Sequence, residues 1–469
     1  MQVHESRKAR KTLGALVYIS IALLLLYGYS LSTRAVLVQE AHDGTTDVTK
    51  LFTAFHSKSN YTTRNFNCTF IPAQIAKARH YFYLFGRAKV KVIMEVCAAK
   101  GWKWEFLPNN TMIPHLMEST YADSLYIIQD RSNIFDHSFI KEITGARHVL
   151  VSTISEAHKV TGSKNSQLIY SRKLAKSFGC TLDDLKFIPK SFLSSEIKEC
   201  SDFVTYATNK PESMWLLKPY KGICGNGIKL YPNVSSLLRI IISTCGNQSN
   251  WRNRYVIQEY LPNLLLLNGR KFDIRAYILI ARTNPYFVFY HRGFLRLTVT
   301  KFSKTGGRDA HLTNIHLQGN IKGYSLEEHI WTYDKFQQYL SNISSKNDYF
   351  VQKRLEPIIK QTAIFLLQAG LGTFERLPAT YLLLGLDFMV TSDYHVWFIE
   401  ANNTPLWPNS YNMASDMLDL VIEIHSSPDK FVNLQPGEKY GSWELVYNEL
   451  LANCSGYQYN PCRDFPIQS

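Results

Sequence analysis

A chain of 469 residues with 45% hydrophobic content can bury the cores of two or three packed domains. Its 28 Tyr and 26 Phe exclude an intrinsically disordered chain. The net charge of +14 and pI of about 9.2 suit an acidic partner such as a nucleotide, an anionic lipid or an acidic peptide. Nucleic acid is set aside, because the sequence has no Arg-rich tract and no zinc-finger spacing. The eight cysteines (68, 97, 180, 200, 224, 245, 454 and 462) include no Cys-x-x-Cys and define no disulfide framework. Buried reduced thiols are the better reading, with Cys454–Cys462 a weak candidate pair.

In chain order, residues 1–11 form a basic flank with Arg7, Lys8, Arg10 and Lys11. Residues 12–31 follow with no charge after Leu13, long enough for a single-pass membrane anchor, a cleaved signal being the alternative. The positive-inside rule then places the bulk of the chain across the membrane. Residues 32–75 are polar and rich in Thr, Asn and Ser, a linker or stalk. Sequons start at Asn60, Asn67, Asn109, Asn233, Asn247, Asn342, Asn402 and Asn453, a frequency expected by chance in such a chain.

Residues 76–205 read as a small N-terminal α/β domain. The pattern predicts a helix over Lys89–Lys100, a stop at Gly101, and strands over Trp102–Leu107 and Ser124–Gln129. Residues 206–410 form the expected core. There Trp215–Leu230 presents Lys218 from a strand, then Gly222, Gly225 and Gly227 in a loop. Such glycines let backbone N–H groups approach a phosphate, although an ordinary hairpin turn explains them as well. Tyr255–Pro262 is a strand and its exit. In Asn268–Ile280, strand alternation puts Lys271, Asp273 and Arg275 on one face. That face is either a solvated surface with an internal ion pair or the wall of a phosphate-binding cleft. Pro285–Arg296 reads as another strand pair, and His311–Asn314 offers hydrogen-bonding side chains.

The most informative stretch is 382–405. Apolar runs Leu382–Val390 and His395–Ile399 flank a polar break and predict a β-hairpin. Pairing Val390 with His395 sets Asp387 opposite Phe398 and makes Glu400 its diagonal neighbour, about 7–8 Å away at Cα. Glu400 and Asn402 share the face of Asp387. Two carboxylates and an amide oxygen suit Mg²⁺. Asp387 lies in an apolar run, so its buried charge needs a cation or another partner. Residues 411–469 carry eight acids against three bases, an acidic C-terminal tail region.

Taken together, Trp215–Ile228, Val256–Leu261, Gly269–Tyr277, Arg296, His311–Asn314 and Gly385–Pro405 resemble, in order, the tubulin tyrosine ligase-like family of ATP-grasp carboxylate–amine ligases. Strong similarity covers about residues 211–408, with weaker likeness at Tyr170–Lys173 and Ile188–Phe192. The resemblance implies an α+β, ATP-grasp fold, with antiparallel sheets of two lobes enclosing ATP. It implies that Lys218 and Lys271 contact ATP phosphates, and that Gln258, Glu259, Tyr260 and Leu261 form the adenine-side hinge. Asp273, Thr313 and Asn314 would hold the nucleotide, and Asp387, Glu400 and Asn402 would bind Mg²⁺. Arg296 would hold the carboxylate of a free amino acid, and Arg275 would face the acyl phosphate or acceptor. Two departures stand out: Glu259 replaces a common Lys, and the stretch before Asp387 is unusually Leu-rich.

The expected function is an ATP-dependent ligase that adds an amino acid to tubulin or another protein with an acidic tail, through an acyl phosphate. Glutamate is preferred to tyrosine or glycine by family frequency. The alternative is a membrane-anchored pseudoenzyme that binds nucleotide or acidic peptide.

Overall fold

The computed structural model describes residues 78–86, 90–107, 124–129, 143, 149–220, 222, 225–246, 254–403, 405, 410–455 and 458–465. All of them fall in one compact unit, Cys68–Ser469. The expected segments 1–11, 12–31 and 32–75 lie outside the described residues.

Strand β1 (His80–Gly86), helix α1 (Lys91–Ala99), and strands β2 (Lys103–Leu107), β3 (Ser124–Gln129) and β4 (Val149–Val151) make a parallel sheet in the order β2-β1-β3-β4. Every residue of β3 is buried, as a parallel strand covered on both faces requires. Helix α1 buries Val92, Ile93, Val96 and Cys97 as one stripe.

Helix α2 (Lys164–Ser177) leads into a four-stranded antiparallel sheet, ordered β5-β8-β6-β7. Its strands are β5 (Ser191–Leu193), β6 (Trp215–Pro219), β7 (Lys229–Tyr231) and β8 (Tyr255–Glu259). Helices α3 (Ile197–Thr208) and α4 (Val234–Thr244) supply its cover. Phe192, Phe203, Trp215, Leu237 and Ile257 form its core. Strands β6 and β7 pair as a hairpin and the glycine-rich stretch lies between them, as the reading of an ordinary hairpin turn expects.

The largest sheet is seven-stranded and antiparallel, with the path β13-β12-β9-β10-β15-β14 and β11 (Ile330–Trp331) pairing with β10. Strands β9 (Phe272–Thr283) and β10 (Tyr286–Leu297) form a long hairpin at its centre. Pro285 lies in the turn between them, and Tyr286–Arg296 is part of one strand rather than a strand pair. Strands β12 (Leu382–Val390) and β13 (Val396–Asn402) form the predicted hairpin, and β14 (Lys439–Tyr440) and β15 (Trp443–Asn448) complete the sheet. Alternate residues of β9 belong to two cores. Ile274, Ala276, Ile278 and Ile280 share one with Ile358, Ile359 and Phe365 of helix α6 (Glu356–Gly370), which follows α5 (Tyr333–Ile343). Tyr277, Leu279 and Ala281 share the other with Met413, Met417 and Val421 of helix α7 (Tyr411–Ser426). The acidic stretch after residue 410 is thus integral to the large sheet through α7 and β15.

Three expectations are corrected. The hairpin register is Val390 opposite Val396 and Phe388 opposite Phe398, and a bulge then leaves Ile399 unpaired and sets Asp387 directly opposite Glu400. The cysteines include two bonded pairs, Cys180–Cys462 and Cys200–Cys245, whereas Cys97 is free and buried and its thiol is pushed up to about 12 by burial. The membrane localisation is withdrawn: among the described residues no helix is long and apolar enough to cross a membrane, and 12–31 lies outside them.

The Cys180–Cys462 bond fastens the chain's last described turn beside α2. Phe465 there stacks on Phe187 at a centroid distance of 4.2 Å. The carbonyl of Phe187 in turn accepts the Phe398 N–H of β13 at 2.7 Å. Cys462→Ser is expected to cost about 2–4 kcal/mol, because it reopens a long loop in the unfolded chain. Denaturant melts of the oxidised protein check this; an unchanged midpoint would show that the bond contributes nothing.

Candidate functional site

The charged side chains singled out in the sequence converge at one end of the β13-β12-β9-β10 block. Cross-strand register puts Asp387 beside Arg275, and Arg296 beside Asp273. Arg275 Nε donates to Asp387 Oδ1 at 2.6 Å and its Nη2 to Oδ2 at 3.2 Å. Arg296 Nε donates to Asp273 Oδ1 at 2.7 Å, and its Nη2 reaches both Asp273 Oδ2 and Asp387 Oδ1, the latter at 3.0 Å. All twelve residues of β9 are buried, so the reading of a solvated charged face is overturned. The charges are sustained by pairing, not by water. Burial pushes the Asp387 carboxyl up, but the two guanidiniums outweigh it and hold the group below the usual carboxylate range.

Glu400 and Asn402 join this group from β13. The Asn402 amide donates to Asp387 Oδ2 at 3.3 Å. Glu400 Oε2 lies 3.2 Å from Lys164 Nζ at the start of α2, and Lys164 also donates to the Gly222 carbonyl at 3.1 Å. Lys164 therefore ties the glycine loop to β13. Nothing in the sequence marked it, since a lysine opening a helix is commonplace.

Two further lysines face the group from different sheets. Lys218 on β6 donates to Gln258 Oε1 at 2.5 Å, and Gln258 donates to Ser191 Oγ at 2.9 Å. Lys271, just before β9, donates to the His311 carbonyl at 2.6 Å and lies 4.9 Å from the Tyr260 ring centroid. Both are almost fully buried, at 7% and 3% exposure. Among the described residues neither makes an ion pair with a carboxylate. Burial pulls the Lys218 amine down to about 8 and the Lys271 amine to about 7. Lys164, Lys218, Lys271, Arg275 and Arg296 thus stand against Asp273, Asp387 and Glu400, an excess of positive charge in a low-dielectric place. Such a site attracts an anion.

The 311–314 segment closes one side. His311 is buried with Nδ1 against the Tyr260 hydroxyl at 2.9 Å, while its Nε2 has no hydrogen-bond partner among the described residues. Thr313 is buried, and Asn314 meets the glycine loop so closely that a Cβ at Gly225 would sit 2.6 Å from its Oδ1. Gly225 also has φ +74°, so a glycine is required there twice over. Along β8 and its exit, Gln258, Tyr260 and Leu261 are buried beside the cleft, but the Glu259 side chain turns away. It accepts from Tyr206 at 2.8 Å and pairs with Lys210 at 3.4 Å. That explains an acid where the family often has a base: only its backbone can serve the cleft. Between β13 and the small sheet, Leu168, Ile188, Val256 and Phe398 give apolar walls, and Lys218 and Gln258 polar ones.

The family model for the tubulin-tyrosine ligase family matches residues 140–432, well over half the chain. The chain belongs to that family. It is 28% identical to tubulin glycylase 3A of Drosophila melanogaster, over 57% of this chain and 27% of that one. It is 25% identical to protein polyglycylase TTLL10 of Mus musculus, over 77% of this chain and 56% of that one. It is 24% identical to inactive polyglycylase TTLL10 of Homo sapiens, over 73% and 57%. The chain thus spans between about a quarter and three fifths of these relatives. The matched region contains every charged residue of the site described above.

The unfolded value of a lysine, 10.5, lies above both folded values. The unfolded chain therefore binds more protons, and the penalty of burying these ammonium groups is present in full below about pH 7 and lifts as pH rises through 7–10. Lys271→Met is expected to raise stability by about 1–2 kcal/mol at pH 7 and to flatten this rise. Denaturant melts at pH 7 and pH 9 test it; a less stable variant would show that the charge is compensated within the fold.

Proposed function

We propose that the chain is an ATP-dependent carboxylate–amine ligase that joins an amino acid to an acidic tail of tubulin or a similar protein. The observation that carries this reading is the pair of buried lysines, Lys218 and Lys271, facing two carboxylates across two sheets with no ion-pair partner of their own among the described residues. A polyphosphate would supply the missing negative charge. Asp387, Glu400 and Asn402 would hold Mg²⁺: the set is two carboxylates and one amide, hard oxygen donors. Among the described residues no cluster of three or more His, Cys, Asp or Glu exists to form a softer or all-protein site. Next to them the buried Asn403 Oδ1 has no hydrogen-bond partner among the described residues, a further oxygen donor in reserve. When bound, Mg²⁺ neutralises charge on the transferring phosphoryl group.

The reaction needs no protein nucleophile. ATP phosphorylates a carboxylate of the acceptor, giving ADP and an acyl phosphate. The amine of the incoming amino acid attacks the acyl carbon, an amide forms, and phosphate leaves. The chain's tasks are positional and electrostatic. Lys218, Lys271 and the Gly222–Gly227 loop hold phosphates, and the apolar walls with the backbone of Gln258–Leu261 receive the base. Asp273, Thr313 and Asn314 hold the nucleotide further in. Arg296, tied to two aspartates, is fixed where it can hold an amino acid's carboxylate, and Arg275 is aimed at the acceptor end.

The relatives' names turn the expected amino acid from glutamate to glycine. A second reading, a nucleotide-binding protein without turnover, is favoured by one relative named inactive and by the full engagement of Asp387 with two guanidiniums and an amide.

The test is incorporation of labelled Gly, Glu and Tyr into tubulin by the full chain with Mg-ATP. Glycine incorporation is expected. Glu400→Gln should lower it by about a hundredfold, at least what losing an outer-shell partner costs a metal site. Nucleotide binding without incorporation of any amino acid would favour the second reading.

A further inference from the structure

Strand β13 is an edge strand, yet it carries two of the three proposed metal ligands. An edge strand has one row of unpaired backbone groups and is the least constrained part of a sheet. Here that row is met at Phe398 by the Phe187 carbonyl and, three residues on, by a side chain. Gln167, one turn into α2 and buried, donates from Nε2 to the Ala401 carbonyl at 2.7 Å. Its Oε1 accepts the Ala401 N–H at 2.9 Å. The same Nε2 donates to the Thr161 carbonyl at 2.9 Å. The amide therefore does for one residue what a further strand would do, and that residue lies between Glu400 and Asn402. Three residues earlier on the same helix, Lys164 pairs with Glu400. The helix itself is anchored through Leu168 and Ala175 in the main core.

We propose that Gln167 is a positioning residue for the metal pair: it clamps Ala401 and so fixes Glu400 and Asn402 against Asp387. This rests on the reading of those three residues as ligands. The bulge at Ile399 makes the clamp necessary. It breaks the ladder to β12 one residue before Glu400, beyond the Phe187–Phe398 bond, where β12 is the strand's one β-sheet neighbour.

Two variants of the full chain test the clamp. Gln167→Met removes both bonds, and Gln167→Glu keeps the shape while replacing the donor by an oxygen that faces two carbonyls. The probe is Mn²⁺, titrated by electron paramagnetic resonance, with nucleotide affinity measured separately in the presence of a chelator. Both variants are expected to weaken Mn²⁺ binding about 10–100-fold, leave metal-free nucleotide affinity unchanged, and speed hydrogen exchange at the Ala401 amide. The control is Asn448→Leu on β15, at the other side of the sheet. It removes an equally buried amide from the carbonyls of Phe431, Val432 and Leu434. It should lower the melting temperature and leave Mn²⁺ affinity alone. Wild-type Mn²⁺ affinity in both Gln167 variants overturns the proposal, as does an equal loss in Asn448→Leu. A wild-type chain that binds neither Mn²⁺ nor nucleotide overturns instead the reading of the site, with exchange at Ala401 still deciding whether Gln167 holds the strand.

Discussion

The structure turns on a chain of four buried charges, Arg275–Asp387–Arg296–Asp273, running across β12, β9 and β10. None of the four is more than 6% exposed. Removing one partner from such a group leaves an uncompensated buried charge, which costs about 3–5 kcal/mol. The network therefore fixes the register of three strands as firmly as their apolar residues do. A slip by one residue would carry Asp387 or Asp273 away from both guanidiniums and to the opposite face. The apolar contacts of Ile274, Ala276 and Ile278 then hold the strands, while the ion pairs specify which residues stand opposite.

Around that fixed network the site is assembled from pieces far apart in sequence. Lys218 comes from the small sheet, Lys271 from the mouth of β9, Glu400 and Asn402 from an edge strand, and Lys164 from a helix. What they share is an excess of positive charge, which the fold holds together against its own repulsion. The network is close to neutral within itself, two arginines against two aspartates. The lysines around it are not, and two of them are buried with, among the described residues, only an amide and a carbonyl as acceptors. Such an arrangement is unfavourable for the empty protein and favourable for a protein holding an anion. At Lys218 and Lys271 the sequence breaks the rule against burying unpaired charge.

Much of this was legible in the residues. The hairpin over 382–402 followed from two apolar runs and a polar break. The strand over Ser124–Gln129 followed from its short apolar run, though not its parallel pairing, and the shared face of Lys271, Asp273 and Arg275 from alternation. The register did not follow, because a bulge adds one residue without a distinctive side chain; Ile399 looks like any strand residue. The cysteine pairs were invisible because Cys180 and Cys462 are 282 residues apart, and spacing says nothing about such a bond. Lys164 and Gln167 sit on a helix with other polar residues of no special placement, and the partner of Gln167 lies 234 positions away.

The residues that were missed differ in kind from those that were found. Asp387 is unusual where it stands: a charge inside an apolar strand, which local chemistry alone flags as needing a partner; Lys218, Lys271 and Glu400 stood out through the motifs they belong to. Gln167 is not unusual in its own segment. Its importance arises only when an edge strand with a bulge passes beside it. A site's chemical groups can be read from local violations of burial rules, because the violation is written in the neighbouring residues. The groups that aim them obey every local rule, so their role becomes visible only with tertiary structure. In this chain the dividing line runs between Glu400, an acid closing an apolar strand, and Gln167, an ordinary amide whose two bonds to Ala401 decide where that acid points.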